Sequence, residues 1–345
     1  DKVAVSEQDL STEFKGDAKT KWKELLAEVK KLPKPAPLPK AMALANMASS
    51  AKTFLLHRGE YSQPGEEVRA SFPAVLRKAS ISDDETASGR KYRTRLAEWI
   101  GSEKNPLTPR VMVNRIWQHH FGRGLVETPS DFGTHGQKPT HPELLDWLAS
   151  EFIARGWSIK EMHKLMLMSA TYQQSSGPAN KVDPENRLYG HMNRLRLEGE
   201  VIRDTLLAVS GRLNLEMEGP GVFPPIPREL FEGAAGWTVS ADPREHSRRS
   251  IYIFARRNLR FPFLEVFDAP DNNLSCPVRE RSTTAPQALT LLNADEVLAA
   301  AKSTAARLEK QSASASEQVT RAYRLALGRS PSAREMSLAK GFIAQ

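Results

Sequence analysis

Apolar positions recur at helical spacing along most of this chain, and the punctuation between the runs is clear. The stretch from Asn105 to Ser176 carries three such runs. In the first, Thr108 is placed to cap a helix with Pro109 in its first turn, running through Val113, Ile116, Trp117 and His120 to Gly122. Thr140 with Glu143, and Ser158 with Glu161, read as capping boxes that open the second and third helices. Trp157 precedes the third and can staple onto Met162, and Gly156 stands where a C-terminal cap belongs. Met162–Met168 is apolar nearly all round, which predicts an interior helix.

The pattern continues outside this block. Lys19–Lys31 places Trp22, Leu25, Leu26 and Val29 at helical spacing. Tyr92–Ile100 reads as a short amphipathic helix, and Arg194–Ser210 as another, with Ile202, Leu206, Val209 and Leu213 on its face. Thr284 with Gln287 predicts a third capping box, ahead of Leu289, Leu292 and Val297. Two more helices, roughly Glu317–Leu327 and Ala333 onward, are parted by Gly328 and Pro331. Only Thr53–His57, followed by a turn at Gln63-Pro64-Gly65, and Ser250–Ala255 read as strands, and they could pair. The fold class is therefore mainly α: an irregular multi-helix domain with a minor β element, its strands near 53–57 and 250–255.

Lys30–Lys40 (KKLPKPAPLPK) interleaves proline with lysine, a composition that favours an extended spacer. Ser80–Gly89 is a polar, acidic loop. These breaks divide the chain into an N-terminal helix and linker (1–40), a lead-in with one strand (41–89), and a helical domain (90–345). The first residue is Asp1 and the last helix is still running at Gln345, as expected of a piece of a longer precursor.

Composition narrows the chemistry. The 345 residues are 40% hydrophobic and 26% charged, ordinary for a globular protein, and no run approaches the ~20 apolar residues of a membrane span. The net charge of +8 biases towards acidic partners or simply gives a basic surface. A single cysteine, Cys276, excludes an internal disulfide and a cysteine-rich zinc site, and without CxxCH no haem c attaches to this chain. HExxH, GxSxG, the P-loop and GxGxxG are absent. His119 and His120 are adjacent on a helix, about 100° apart, so they are no metal pair. Asp131, His135, His141 and Glu143 match no standard metal spacing, and no metal site is assigned. The helix at Ile159–Ala170 is too apolar for a DNA groove, so nucleic acid is not an expected partner.

Candidate site residues concentrate in Asp242–Arg281. Eight arginines fall there, and Arg248, Arg249, Arg256, Arg257, Arg279 and Arg281 are the anion-binding candidates, since guanidinium matches carboxylate, sulfate or phosphate. Nearby carboxylates offer internal pairing instead. Asp268 and Asp271 are acid–base candidates whose pKa values mutual repulsion could split. Cys276 beside arginines is a candidate nucleophile. Asn114, Arg115, Asp131, Arg203 and Asp204 are read as structural polar residues, Arg115 as a buried charge needing a carboxylate.

Three segments carry a family resemblance: NRIWQHHFGRGLVETPSDFG with the helices after it, Arg248–Val297, and RAYRLALGRSPSAREM at Arg321–Met336. From about Arg90 the chain resembles the PSD1 domain, domain of unknown function 1553, of Planctomycete-type proteins. The resemblance implies an exported, periplasmic or secreted setting, with haem c only in other modules of the same precursor. Upstream modules of that precursor are then expected partners, and the basic charge and the arginines add an anionic glycan as a further one. No activity comes with the resemblance; the leading reading is a non-enzymatic or accessory module that binds a partner protein or an anionic polymer, and the alternative is a hydrolase or lyase acting on a sulfated or acidic polysaccharide. A third reading has Cys276 or a histidine approaching a partner's haem.

Overall fold

The computed structural model describes residues 14–32, 52–68, 71–76, 92–177, 181–227 and 237–344. Among these are eleven α-helices and one two-stranded sheet. The chain divides into two compact units, Asp1–Thr94 and Arg95–Gln345.

The first unit holds α1 (Asp17–Lys31), which buries no residue, and a hairpin of β1 (Thr53–Leu56) with β2 (Pro64–Val68). The strands are antiparallel, with Thr53 opposite Val68 and Leu56 opposite Pro64, and Lys52 meets Glu67 at 2.8 Å across them. Pro64 therefore opens a strand, where its missing N–H costs no ladder bond. The partner of β1 is local, and Ser250–Ala255 is no strand. Ser250–Tyr252 is a 3-10 turn whose Ser250 N–H goes to Asp204 at 2.7 Å. Ile253 then makes a single bridge to Val222. A carboxylate and one neighbouring residue take up the backbone groups that a ladder needs. The proline–lysine run beyond Leu32 and the loop at Ser80–Gly89 lie outside the described residues.

α2 (Tyr92–Ile100) runs across the division into the second unit, where α3 (Thr108–Phe121) follows. Thr108 does not cap α3. The Asn105 carboxamide oxygen does, accepting from Leu107 N at 2.9 Å and Thr108 N at 3.3 Å. Gly122 ends α3 at φ 84°, a left-handed conformation in which any side chain is strained. The Thr140–Glu143 box is also not formed. α4 (Pro142–Ala154) starts after His141, while the Thr140 hydroxyl turns to the Leu125 carbonyl at 3.4 Å. α5 (Ile159–Leu167) is capped by Ser158 as its sequence predicts. It buries only Met162 and Met166, and Met168 is 71% exposed, so the run is amphipathic rather than interior.

Trp117, Phe121, Leu145, Phe152, Met162 and Met166 pack the first core between α3, α4 and α5. Inside it Asn114 is 0% exposed and pairs with Val126 like a strand neighbour, donating to its carbonyl at 3.0 Å and accepting from its N–H at 2.8 Å. Gly124 leaves room for that amide, because a Cβ would lie 2.7 Å from Asn114 Nδ2. Asn114→Leu strips both partners from a buried peptide and is expected to cost about 3 kcal/mol. Urea unfolding measures it, and a loss under about 1 kcal/mol would refute the pairing's role.

α3 and α5 also meet through His120 Nε2 and His163 Nδ1, 2.7 Å apart. Burial first, then the charges of His163 and His119, hold His120 below its usual 6.5. The unfolded chain therefore takes up this proton more readily than the folded one. Stability is complete above pH 6.5 and falls as acidification carries the solution down through the folded value. Unfolding midpoints recorded from about pH 7.5 to about pH 5 should decline, and His120→Asn should flatten the slope. Parallel slopes in the two proteins would contradict this.

The second core is built on α6 (Gly199–Ser210), with Val222, Trp237, Ile253, Phe261 and Phe263. Its most buried face is Gly199, Arg203, Leu207 and Ser210. Ile202 and Leu206 only flank that face, so the apolar stripe read from the sequence is rotated to admit an arginine. α7 (Pro262–Val266), α8 (Ala285–Asn293) and α9 (Asp295–Gln311) complete it. The Gln287 oxygen accepts from Thr284 N at 3.3 Å, as expected, yet Leu289 and Leu292 face solvent. Arg307 donates to the Val209 carbonyl at 2.9 Å, a cation at the C-terminal end of α6. α10 (Ala315–Leu327) and α11 (Ala333–Ile343) form a closing helical hairpin, α11 opened by a Ser332–Glu335 capping box.

Candidate functional site

The arginines of Asp242–Arg281 are mostly bound within the protein. Arg248, 3% exposed, donates to the carbonyls of Glu216 and Glu218 and lies 3.9 Å over the Tyr252 ring. Arg279 meets Glu200 at 2.8 Å and Glu198 at 3.1 Å, and Arg281 meets Glu198 at 3.9 Å. Arg249 stands 3.9 Å from Asp204, Arg244 pairs with Asp242, and Arg260 with Glu265. Arg256 is half-buried on a one-residue bridge to Leu259, and Arg257 is exposed. A run of positive charge in sequence has become a set of separate internal ties.

Asp268 sits at the hub of another such tie. Its carboxylate accepts from Arg196, from Ser282 N at 2.8 Å, from Ser282 Oγ at 2.9 Å and from Gln287 Nε2 at 3.4 Å. The Ser282 backbone N–H, and after it the Ser282 hydroxyl and Arg196, keep this carboxyl below the usual range. Asp271 is exposed and accepts from Asn273 N at 3.0 Å, which keeps it low as well. The expected split between the two carboxyls does not arise, because each is held down by its own donors. Cys276 is exposed, its thiol 3.2 Å from the Val278 carbonyl.

Among the structural polar candidates, Asn114 has the buried role described above. Arg115 does not: it is exposed, because its position on α3 lies opposite the first core. Asp131 is exposed and accepts from Gly133 N at 2.8 Å in a turn. Asp204 holds Ser250. Arg203 is 1% exposed, with Nε 2.6 Å from Glu296, Nη1 donating to the Arg248 carbonyl at 3.1 Å and Ser250 Oγ at 3.2 Å, and Nη2 to the His246 carbonyl at 2.6 Å. It ties α6, the turn at 246–250 and the start of α9 together.

Over that tie opens a cleft of about 780 Å³. Its floor and walls are Arg203 and Leu207 of α6, Pro224–Pro227, Phe261–Phe263, and the junction of α8 with α9. This is the apolar concavity with few polar groups that ligand sites favour. Arg203 and Glu296 form an ion pair within it. Arg212, His246 and Asp295 are its remaining ionisable side chains. Arg212 follows Gly211, the left-handed residue (φ 74°) that ends α6, and it is exposed, with no ion pair among the described residues. Asp295 is exposed in the first turn of α9, where a carboxylate suits the helix dipole. None of the six arginines proposed from sequence lines this cleft, nor do Asp268, Asp271 or Cys276. Arg212 had one sequence signal, its place just past a Gly that stops a helix.

No three His, Cys, Asp or Glu side chains among the described residues are placed to hold a metal ion. No helix among them is long and apolar enough to cross a membrane. The family model of PSD1, a protein of unknown function (DUF1553), matches residues 92–343, and the chain belongs to that family. No curated protein and no solved structure matches it.

Proposed function

We propose that this PSD1 domain is a binding module that takes an anionic polymer into the cleft over α6. The observation that carries the reading is Arg212. Among the described residues it is the cleft's one cation without a carboxylate partner, beside walls of proline and phenylalanine that suit an extended ligand. The net charge of +8 adds long-range attraction for such a polymer. The exported setting, beside haem c modules of the same precursor, belongs to this reading through the family resemblance alone. The alternative hydrolase or lyase built on Asp268 and Asp271 has less support, since the Asp268 carboxylate is already occupied by four donor atoms.

A thermal-shift series with carboxylated and sulfated oligosaccharides tests the proposal. A ligand at a hundredfold excess over its Kd adds about 2.7 kcal/mol to the folded state. We expect a shift that shrinks with salt and is lost in Arg212→Ala. A shift that survives Arg212→Ala, or none with any anionic polymer, would remove the cleft from consideration.

A further inference from the structure

The cleft contains one group that binding an anion does not require. His246 Nε2 lies 2.8 Å from the Ser240 carbonyl oxygen. A carbonyl only accepts, so Nε2 carries the hydrogen, and Nδ1 has no hydrogen-bond partner among the described residues. The residue is held from its other side as well, because its own carbonyl accepts from Arg203 at 2.6 Å. Arg203 is in turn buried and fixed by Glu296. An imidazole that lines the cleft, with its tautomer set by a backbone carbonyl and its backbone anchored, is arranged as a proton acceptor.

Arg212 and His246 line the same cleft. A sulfate ester on Arg212 would offer a base nothing to remove. A carboxylate would, because the carbon beside it loses its proton more readily as the growing negative charge spreads onto oxygens held by guanidinium. Asp295 at the rim supplies an acceptor for sugar hydroxyls. Resting on the binding reading above, we propose that the cleft cleaves polyuronates by β-elimination. Arg212 holds the uronate carboxylate, and His246 Nδ1 takes the proton from C5. The electron pair left behind forms the C4–C5 double bond as the C4–O4 bond breaks. The departing O4 takes the proton back from the imidazolium. Neither water nor an oxidant is consumed, and one product chain ends in an unsaturated uronate.

The test incubates the full chain with polygalacturonate, with alginate and, as control, with a sulfated glycan lacking uronate. Ultraviolet absorbance of the conjugated product is followed and product masses are measured. Absorbance should grow with at least one polyuronate and not with the control. His246→Ala and His246→Gln should lower kcat by about 100-fold or more while the polyuronate still shifts their melting. The glutamine variant keeps a donor for the Ser240 carbonyl, so its loss of activity cannot be put down to misfolding. Arg212→Ala should raise KM, and Arg212→Lys should recover part of that loss. A polyuronate that binds without giving unsaturated product, or product formed equally well by His246→Gln, overturns the elimination and leaves the binding reading standing. If no polyuronate binds, the elimination is overturned; the binding reading falls with it only if the sulfated glycan also fails to shift the melting.

Discussion

Replacing Arg203 with methionine should cost about 4 kcal/mol of folding stability, the largest single effect expected outside the apolar cores. The guanidinium is 1% exposed and serves four acceptors: Glu296, the carbonyls of His246 and Arg248, and Ser250 Oγ. Methionine fills much of the same volume, so the loss comes from acceptors stranded out of water rather than from a cavity. Arg203→Lys should recover little, because one ammonium cannot reproduce a planar fork with fixed donor directions. Adding Glu296→Leu to Arg203→Met should return part of the loss by removing the orphaned carboxylate. Urea titrations of the three variants give the ledger, and a loss for Arg203→Met below about 1 kcal/mol would show that the tie is decorative. The cleft stands on this tie, so ligand-induced shifts should vanish with it.

Asp268→Asn should destabilise the protein by about 2–3 kcal/mol. The amide loses the charge that faces Arg196 and turns a donor towards one of the donors around it. Arg196 retains the carbonyls of Ser282 at 2.7 Å and Leu197 at 2.7 Å but no counter-ion. The acid limb provides an independent check. Donors lower this carboxyl in the folded state, so its contribution is present above the unfolded value near 3.8 and is lost as pH falls through the folded one. The variant should therefore lose less stability than the parent between about pH 5 and about pH 2. A variant with parental stability and an unchanged acid limb would return Asp268 to the list of groups free for chemistry.

Much of the helical scaffold was legible in the chain. Helix existence follows from apolar spacing, and Ser158, Thr284, Gly122 and Gly328 mark the boundaries they were expected to mark. Caps failed where another residue competed for the same groups. Asn105 reaches two N–H groups ahead of Thr108, and the Leu125 carbonyl draws Thr140 away from α4. Ser250–Ala255 has the composition of a strand, but strand formation depends on a partner, and Asp204 arrives first. The charged residues show the same limit. Pairing with nearby carboxylates was legible, and Asp242, Glu245 and Glu265 supply it, but Arg249, Arg279 and Arg281 find Asp204, Glu198 and Glu200, on or beside α6. The cleft was out of reach for a related reason: its walls come from five separated stretches, and only folding brings Arg212, His246 and Asp295 into one concavity.

The two cores of the second unit differ in how far apart their polar ties lie along the chain. In the first, Asn114 and Val126 are 12 residues apart and His120 and His163 43, though Tyr189 returns to Arg123 across 66. In the second, Arg279 reaches Glu200 across 79 residues, Arg196 reaches Ser282 across 86, and Arg307 reaches Val209 across 98. Closing long loops costs entropy before any contact repays it. The α3–α5 block is thus the part able to nucleate early, and the α6–α9 assembly, which builds the cleft, condenses last. In pulse-labelled hydrogen exchange during refolding, amides of α3 should gain protection before those of α6.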